Sequence, residues 1–82
     1  MNEELIQAID DALPGEWDKA HKAVQEIDHK TAYWIHAVLH KIEGDENNSR
    51  YWYSLAGKIE HFGMDSTAEL LLIRQGLSNE AN

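Results

Sequence analysis

Residues 28–45 read Asp28-His29-Lys30-Thr31-Ala32-Tyr33-Trp34-Ile35-His36-Ala37-Val38-Leu39-His40-Lys41-Ile42-Glu43-Gly44-Asp45, and they decide the fold. Thr31, Trp34, Ile35, Val38, Leu39 and Ile42 recur at intervals of three and four, which makes a wide apolar arc on a helix and no face at all on a strand. Asp28 stands where an N-cap belongs, and Gly44-Asp45 has the chemistry of a turn, so the spacing predicts a helix over His29–Glu43.

The same punctuation works outward in both directions. Pro14-Gly15 and Phe62-Gly63 mark two further breaks. A first helix is expected over Asn2–Leu13, with Leu5, Ile6, Ile9 and Leu13 on one face. A second follows over Glu16–Ile27, with Trp17, Ala20, Val24 and Ile27 inward. Asn47 or Asn48 is expected to cap a fourth helix reaching Phe62 and burying Tyr51, Trp52, Leu55, Ile59 and Phe62, with Gly57 inside it for the sake of close packing. Asp65 or Ser66 is expected to cap a fifth carrying Leu70, Leu71, Ile73 and Leu77. Sustained alternation is nowhere seen, so no strand is predicted. The fold class is all-α, with five short helices in a single domain over residues 1–77 and a frayed tail over 78–82.

Two stretches share a turn glycine, a following acidic residue and a small residue five positions on: Gly15-Glu16 with Ala20, and Gly44-Asp45 with Ser49. The glycine lets the chain reverse between helices, and the small residue lets the returning helix come close. Gly44-Asp45, Ser49, Tyr51-Trp52-Tyr53 and Ala56-Gly57 resemble the hairpin of tetratricopeptide and Sel-like repeats. The run from Trp34-Ile35-His36-Ala37-Val38-Leu39-His40 to Tyr53 is also similar to small stand-alone bacterial proteins of unknown function. This resemblance implies two antiparallel helical hairpins closed by a C-terminal capping helix. It also implies a protein or peptide partner and no reaction. Ser49 departs from the alanine usual in those proteins. Two repeats are fewer than the three that such arrays ordinarily need, which leads to an expectation of homodimerisation.

Composition excludes several classes. The chain has 82 residues, 7 Lys+Arg against 15 Asp+Glu and a formal charge of −8, a field that repels nucleic acid and anionic membrane surfaces. It has no cysteine, which removes disulfides, thiolate nucleophiles and cysteine zinc sites together. No apolar run is long enough to span a membrane, and Met1-Asn2-Glu3-Glu4 is the wrong opening for a signal peptide; a cytoplasmic protein is expected.

The chemistry-bearing residues are histidines. His29, His36, His40 and Glu43 fall within about 60° of one another around the third helix, and His36 and His40 stand at i and i+4. Folding the second helix back around Asp28 sets His21 level with His36, with Gln25 nearer the turn. His21, His36, His40 and Glu43 are therefore candidate ligands for Zn²⁺ or Ni²⁺. The alternatives are a structural polar network or a partner-facing groove. For these, Gln25, Tyr33 and Tyr53 join the set, the two tyrosines flanking the apolar arcs. Both His-Glu-x-x-His and the paired Glu-x-x-His motifs of di-iron bundles are missing. No activated nucleophile, phosphate-cradling loop or cofactor motif accompanies the histidines, so the residues argue for a binding protein ahead of an enzyme.

Overall fold

The computed structural model describes residues 2–81, and among them every regular element is helical. Helix α3 (Lys30–Ile42) is the hub: its residues from Ile35 to His40 are buried without interruption. Such all-round burial needs neighbours on every side. They are α1 (Asn2–Ala12), α2 (Trp17–Gln25), α4 (Glu46–Ala56) and α5 (Ser66–Ala81), with a 3-10 turn over Ile59–His61 between the last two. Sequential helices pack on one another through α4, while α5 returns to lie against α1 and α3. Leu5 and Ile9, Val24, Ile35 and Leu39, Tyr53, and Leu70 meet in one core at 2 % exposure or less. Each such aliphatic side chain contributes about 1.5–3 kcal/mol through burial.

Three helices end in one way. Gly44 takes φ +87°, its N–H donates to Lys41 O, and Asp45 N–H reaches back to His40 O at 2.9 Å. This is the left-handed closure that satisfies the last free carbonyls and that only glycine enters without strain. Gly15 repeats the bond pattern at the end of α1. The shared glycines noted in the sequence are thus two copies of one helix stop.

Gly57 is the third copy, and it corrects an expectation. It does not sit inside a helix for the sake of close packing: a side chain there would meet nothing within 4 Å. Its φ of +71° terminates α4 at Ala56, with Lys58 N–H on Tyr53 O, so Ile59 and Phe62 fall outside α4. The buried face of α4 is also rotated from the expected one. Ser49, Tyr53 and Ala56 point inward, while Tyr51 and Leu55 are 57 % and 42 % exposed. The reason is proximity. Small Ser49 and Ala56 let α4 lie close on α3, and Ser49 Oγ–H donates to Ala37 O at 2.7 Å. Ile42 and Leu71, also expected inside, are exposed.

The caps differ too. Asp28 accepts from the Tyr33 hydroxyl, and the His29 ring takes over as N-cap of α3, its Nδ1 accepting from Thr31 N–H at 3.1 Å. Asp45, not an asparagine, caps α4, and Asp65 caps α5. Helix α5 continues through Ser78–Glu80, where the sequence suggested a tail, and Asn82 lies outside the described residues. It is tied to α1 by a two-point Arg74–Asp10 ion pair at 2.8 and 3.1 Å and by Asn2 Nδ2 donating to Leu77 O at 3.4 Å. No helix among the described residues is long and apolar enough to cross a membrane.

Candidate metal centre

Helix α2 offers His21 and helix α3 offers His36 and His40, one turn apart on the same face. The two helices pack with these faces together. One nitrogen from each ring lies within 4.8 Å of the other two. His21 Nε2 and His36 Nε2 approach to 3.1 Å. Two imidazoles bound tetrahedrally to zinc, at 2.0–2.1 Å each, hold their nitrogens about 3.3 Å apart, so this pair already has a ligating separation. The rest of the triad needs at most about 1.5 Å of side-chain adjustment to close on an ion.

The rings are held by tryptophans whose role the sequence did not suggest. Trp52 stacks on His36 with centroids 3.9 Å apart, and Trp17 stacks on His21 at 4.7 Å while presenting an edge to His40. Trp17 is itself fixed by its indole N–H, which donates to Leu39 O at 2.6 Å. Packing of this kind leaves each imidazole few rotamers, and a fixed ligand loses little entropy on binding.

Glu43 occupies a different station from the one expected. It is not among the atoms that converge with the three rings; its Oε2 accepts from His40 Nδ1 at 2.6 Å. With Nδ1 committed as donor, Nε2 is the nitrogen that His40 has left to offer. A carboxylate on the far nitrogen fixes the tautomer and raises the basicity of a ligating histidine. Glu43 and His40 also gather with Asp45, at the glycine closure of α3.

Burial keeps His36 and His21 neutral. Burial chiefly, and then the charges of His21 and His40, push His36 down to about 4. Burial and then His40 lower His21 as well. At neutral pH both rings are therefore uncharged; one Nε2 donates to the other across the 3.1 Å contact, and that proton must leave or move to Nδ1 before both nitrogens can hold an ion. His36 and His40 are 5 % and 7 % exposed, and His21 is partly open, so an ion would enter past His21.

The remaining candidates scatter. Gln25 is exposed, and its side chain makes no hydrogen bond among the described residues. Tyr33 is spent on Asp28 and packs beside Trp52 at 5.6 Å. Tyr53 is a correction: it is fully buried, and its hydroxyl lies 2.7 Å from the Glu69 carboxylate. That contact belongs to a second polar constellation. Glu69, at 0 % exposure, accepts from Trp34 Nε1–H at 2.7 Å and Lys41 Nζ at 2.6 Å, while Lys41 also donates to Phe62 O and Met64 O. Burial, and then the Glu69 carboxylate, drive the Tyr53 phenol strongly upward. Every member is satisfied, and of these residues only Trp34 borders a cavity, so the buried Glu69–Lys41–Tyr53 centre of the network is architectural.

Comparisons with protein-family models, curated proteins and solved structures found no match to this chain.

Proposed function

We propose that the protein binds a divalent late transition ion, Zn²⁺ or Ni²⁺, through His21, His36 and His40, with Glu43 as the carboxylate that orients His40. The observation carrying this reading is the convergence of three ring nitrogens within 4.8 Å between two packed helices. Neutral imidazoles and the His40–Glu43 bond support it. Three nitrogen ligands leave at least one coordination position for water or another ligand, the pattern of open rather than closed zinc sites.

Calorimetric titration of chelator-stripped protein with Zn²⁺ and Ni²⁺ tests it. One ion per chain should bind with sub-micromolar affinity, and His21→Ala, at the most accessible ligand, should abolish that binding with the helical circular dichroism unchanged. Glu43→Gln should cost about 10–100-fold in affinity, as removal of an outer carboxylate does. Wild-type protein that binds neither ion would leave the histidines as packing.

A second reading, a protein-binding module of the tetratricopeptide kind that associates with itself or with a protein or peptide, draws support from α4. Tyr51 and Leu55 are exposed one turn apart, and Ile59 beyond them is 50 % exposed. An apolar strip on a helix with one packed side suits a partner face. Sedimentation equilibrium should detect concentration-dependent association, which Leu55→Asp removes; a single monomeric species up to high micromolar concentration would eliminate the self-association form of this reading.

A further inference from the structure

A cavity of about 500 Å³ opens between the start of α3, the end of α4, the 3-10 turn and the C-terminal half of α5. It shares none of its lining residues with the histidine triad. Its apolar surface comes from Trp34, Ala56, Leu72, Ile73 and Leu77. Trp34 is a rigid wall, because its indole N–H is anchored on buried Glu69. The volume lies within the ~300–1,000 Å³ of small-ligand pockets, too confined for a folded partner.

The polar lining has an unusual sign for this chain. Lys30 and Lys58 both border the cavity, and Lys58 Nζ stands 4.7 Å above the Trp34 ring. Lys19, Lys41, Arg50 and Arg74 each lie within 4.0 Å of a carboxylate. Lys22, Lys30 and Lys58 have no such partner among the described residues, and two of these three border the cavity, in a protein of net charge −8. Thr31, beside Lys30, adds a hydroxyl that makes no hydrogen bond among the described residues and sits at the positive end of the α3 dipole. Glu80 is the one carboxylate on the lining. An apolar chamber bordered by two cations and one carboxylate suits a ligand with an apolar body and a single negative head.

From this complementarity we infer that the cavity is a binding site for a small amphiphilic monocarboxylate, such as a medium-chain alkanoate. Its tail lies against Trp34, Ile73 and Leu77, and its head is held by Lys30, Lys58 and the Thr31 hydroxyl. The assignment is independent of the metal reading, since no residue is common to both.

The probe is decanoate, kept below its micelle concentration and titrated into ¹⁵N-labelled protein, with 1-decanol as the neutral isostere. The Trp34 indole N–H resonance should shift saturably while those of Trp17 and Trp52 stay in place. Decanol should bind about tenfold or more weakly, and the Lys30→Gln/Lys58→Gln variant should lose about tenfold for decanoate, the equivalent of about 1.4 kcal/mol. Glu80→Gln should tighten decanoate and leave decanol unchanged, a signed effect that a nonspecific apolar surface does not produce. Equal affinity for decanoate and decanol would overturn the inference, as would a Trp34 resonance that decanoate leaves unmoved. A Trp34 shift that follows protein concentration alone would put a second copy of the chain in the groove and overturn it equally.

Discussion

His36 illustrates how much one buried ring can bind the stability of a small protein to pH. The unfolded chain takes up its proton near 6.5, whereas the folded chain resists until about 4. Between those values the unfolded state holds more protons, so stability rises with pH across the window. It is intact above about 6.5 and declines as the pH falls toward 4, by up to about 3 kcal/mol from His36. His21 acts in the same direction. Urea midpoints of the metal-free protein between pH 7.5 and 4.5 should follow that slope, and His36→Phe should flatten it; a midpoint indifferent to pH would contradict the neutral-ring description. The histidine spacing on α3 and the level of His21 were legible in the sequence, because i, i+4 periodicity and a turn at Asp28 suffice to locate them. The tryptophans clamping them were not, since an aromatic on a buried arc reads as core whether or not it faces an imidazole. Glu43 was legible as a neighbour, but its attachment to the outer nitrogen of His40 depends on a rotamer that no spacing encodes.

Among the helices, α5 is the least readable and the most consequential. Leu71 and Leu72 interrupt its apolar stripe, so Glu69 passes for a surface residue. Yet Glu69 precedes Ile73 by four and Leu77 by eight, the interval of the inward face, and that was the available signal. Likewise Lys41, not Ile42, turns inward, because the carbonyls of the Phe62–Met64 segment and the Glu69 carboxylate offer its ammonium four acceptors counting a longer contact to His61 O. Lys41→Met should cost about 3–5 kcal/mol by leaving Glu69 buried and uncompensated. In the Lys41→Met/Glu69→Leu double variant much of that loss should return, because the charge left without a partner has gone. Denaturant midpoints of the two variants test this coupling, and a double variant no better than the single would refute it. The boundary of α4 was misplaced for a related reason: Gly57 was weighed as a packing residue, whereas its role is conformational and local.

The molecule as a whole closes its own surface. Its accessible area is 4830 Å² and its radius of gyration 11.2 Å, against about 5,000 Å² and about 12 Å for folded chains of this mass and length. The association proposed through Tyr51 and Leu55 covers a narrow strip and should be weak and concentration-dependent. The all-helical class and the number of helices were legible from periodicity and glycine punctuation alone. Which faces meet was less so, since α3 is buried all round between Ile35 and His40, and there many rotations of its neighbours satisfy its pattern.

The side-chain ties from Asn2 and Asp10 to the last turns of α5 mean that the first helix begins beside the place where the last one finishes. The path of the polypeptide is therefore almost a ring. For residues 2–81 taken alone, a short glycine–serine bridge from one end of that path to the other would allow the backbone to be reopened at the exposed Gly44–Asp45 turn, at the loss of the Asp45 N–H bond to His40 O. Such a circular permutant would keep its helices and core while separating α3 from α4 in chain order. It would then show whether the hub helix needs its neighbour in sequence, or only in space, to assemble.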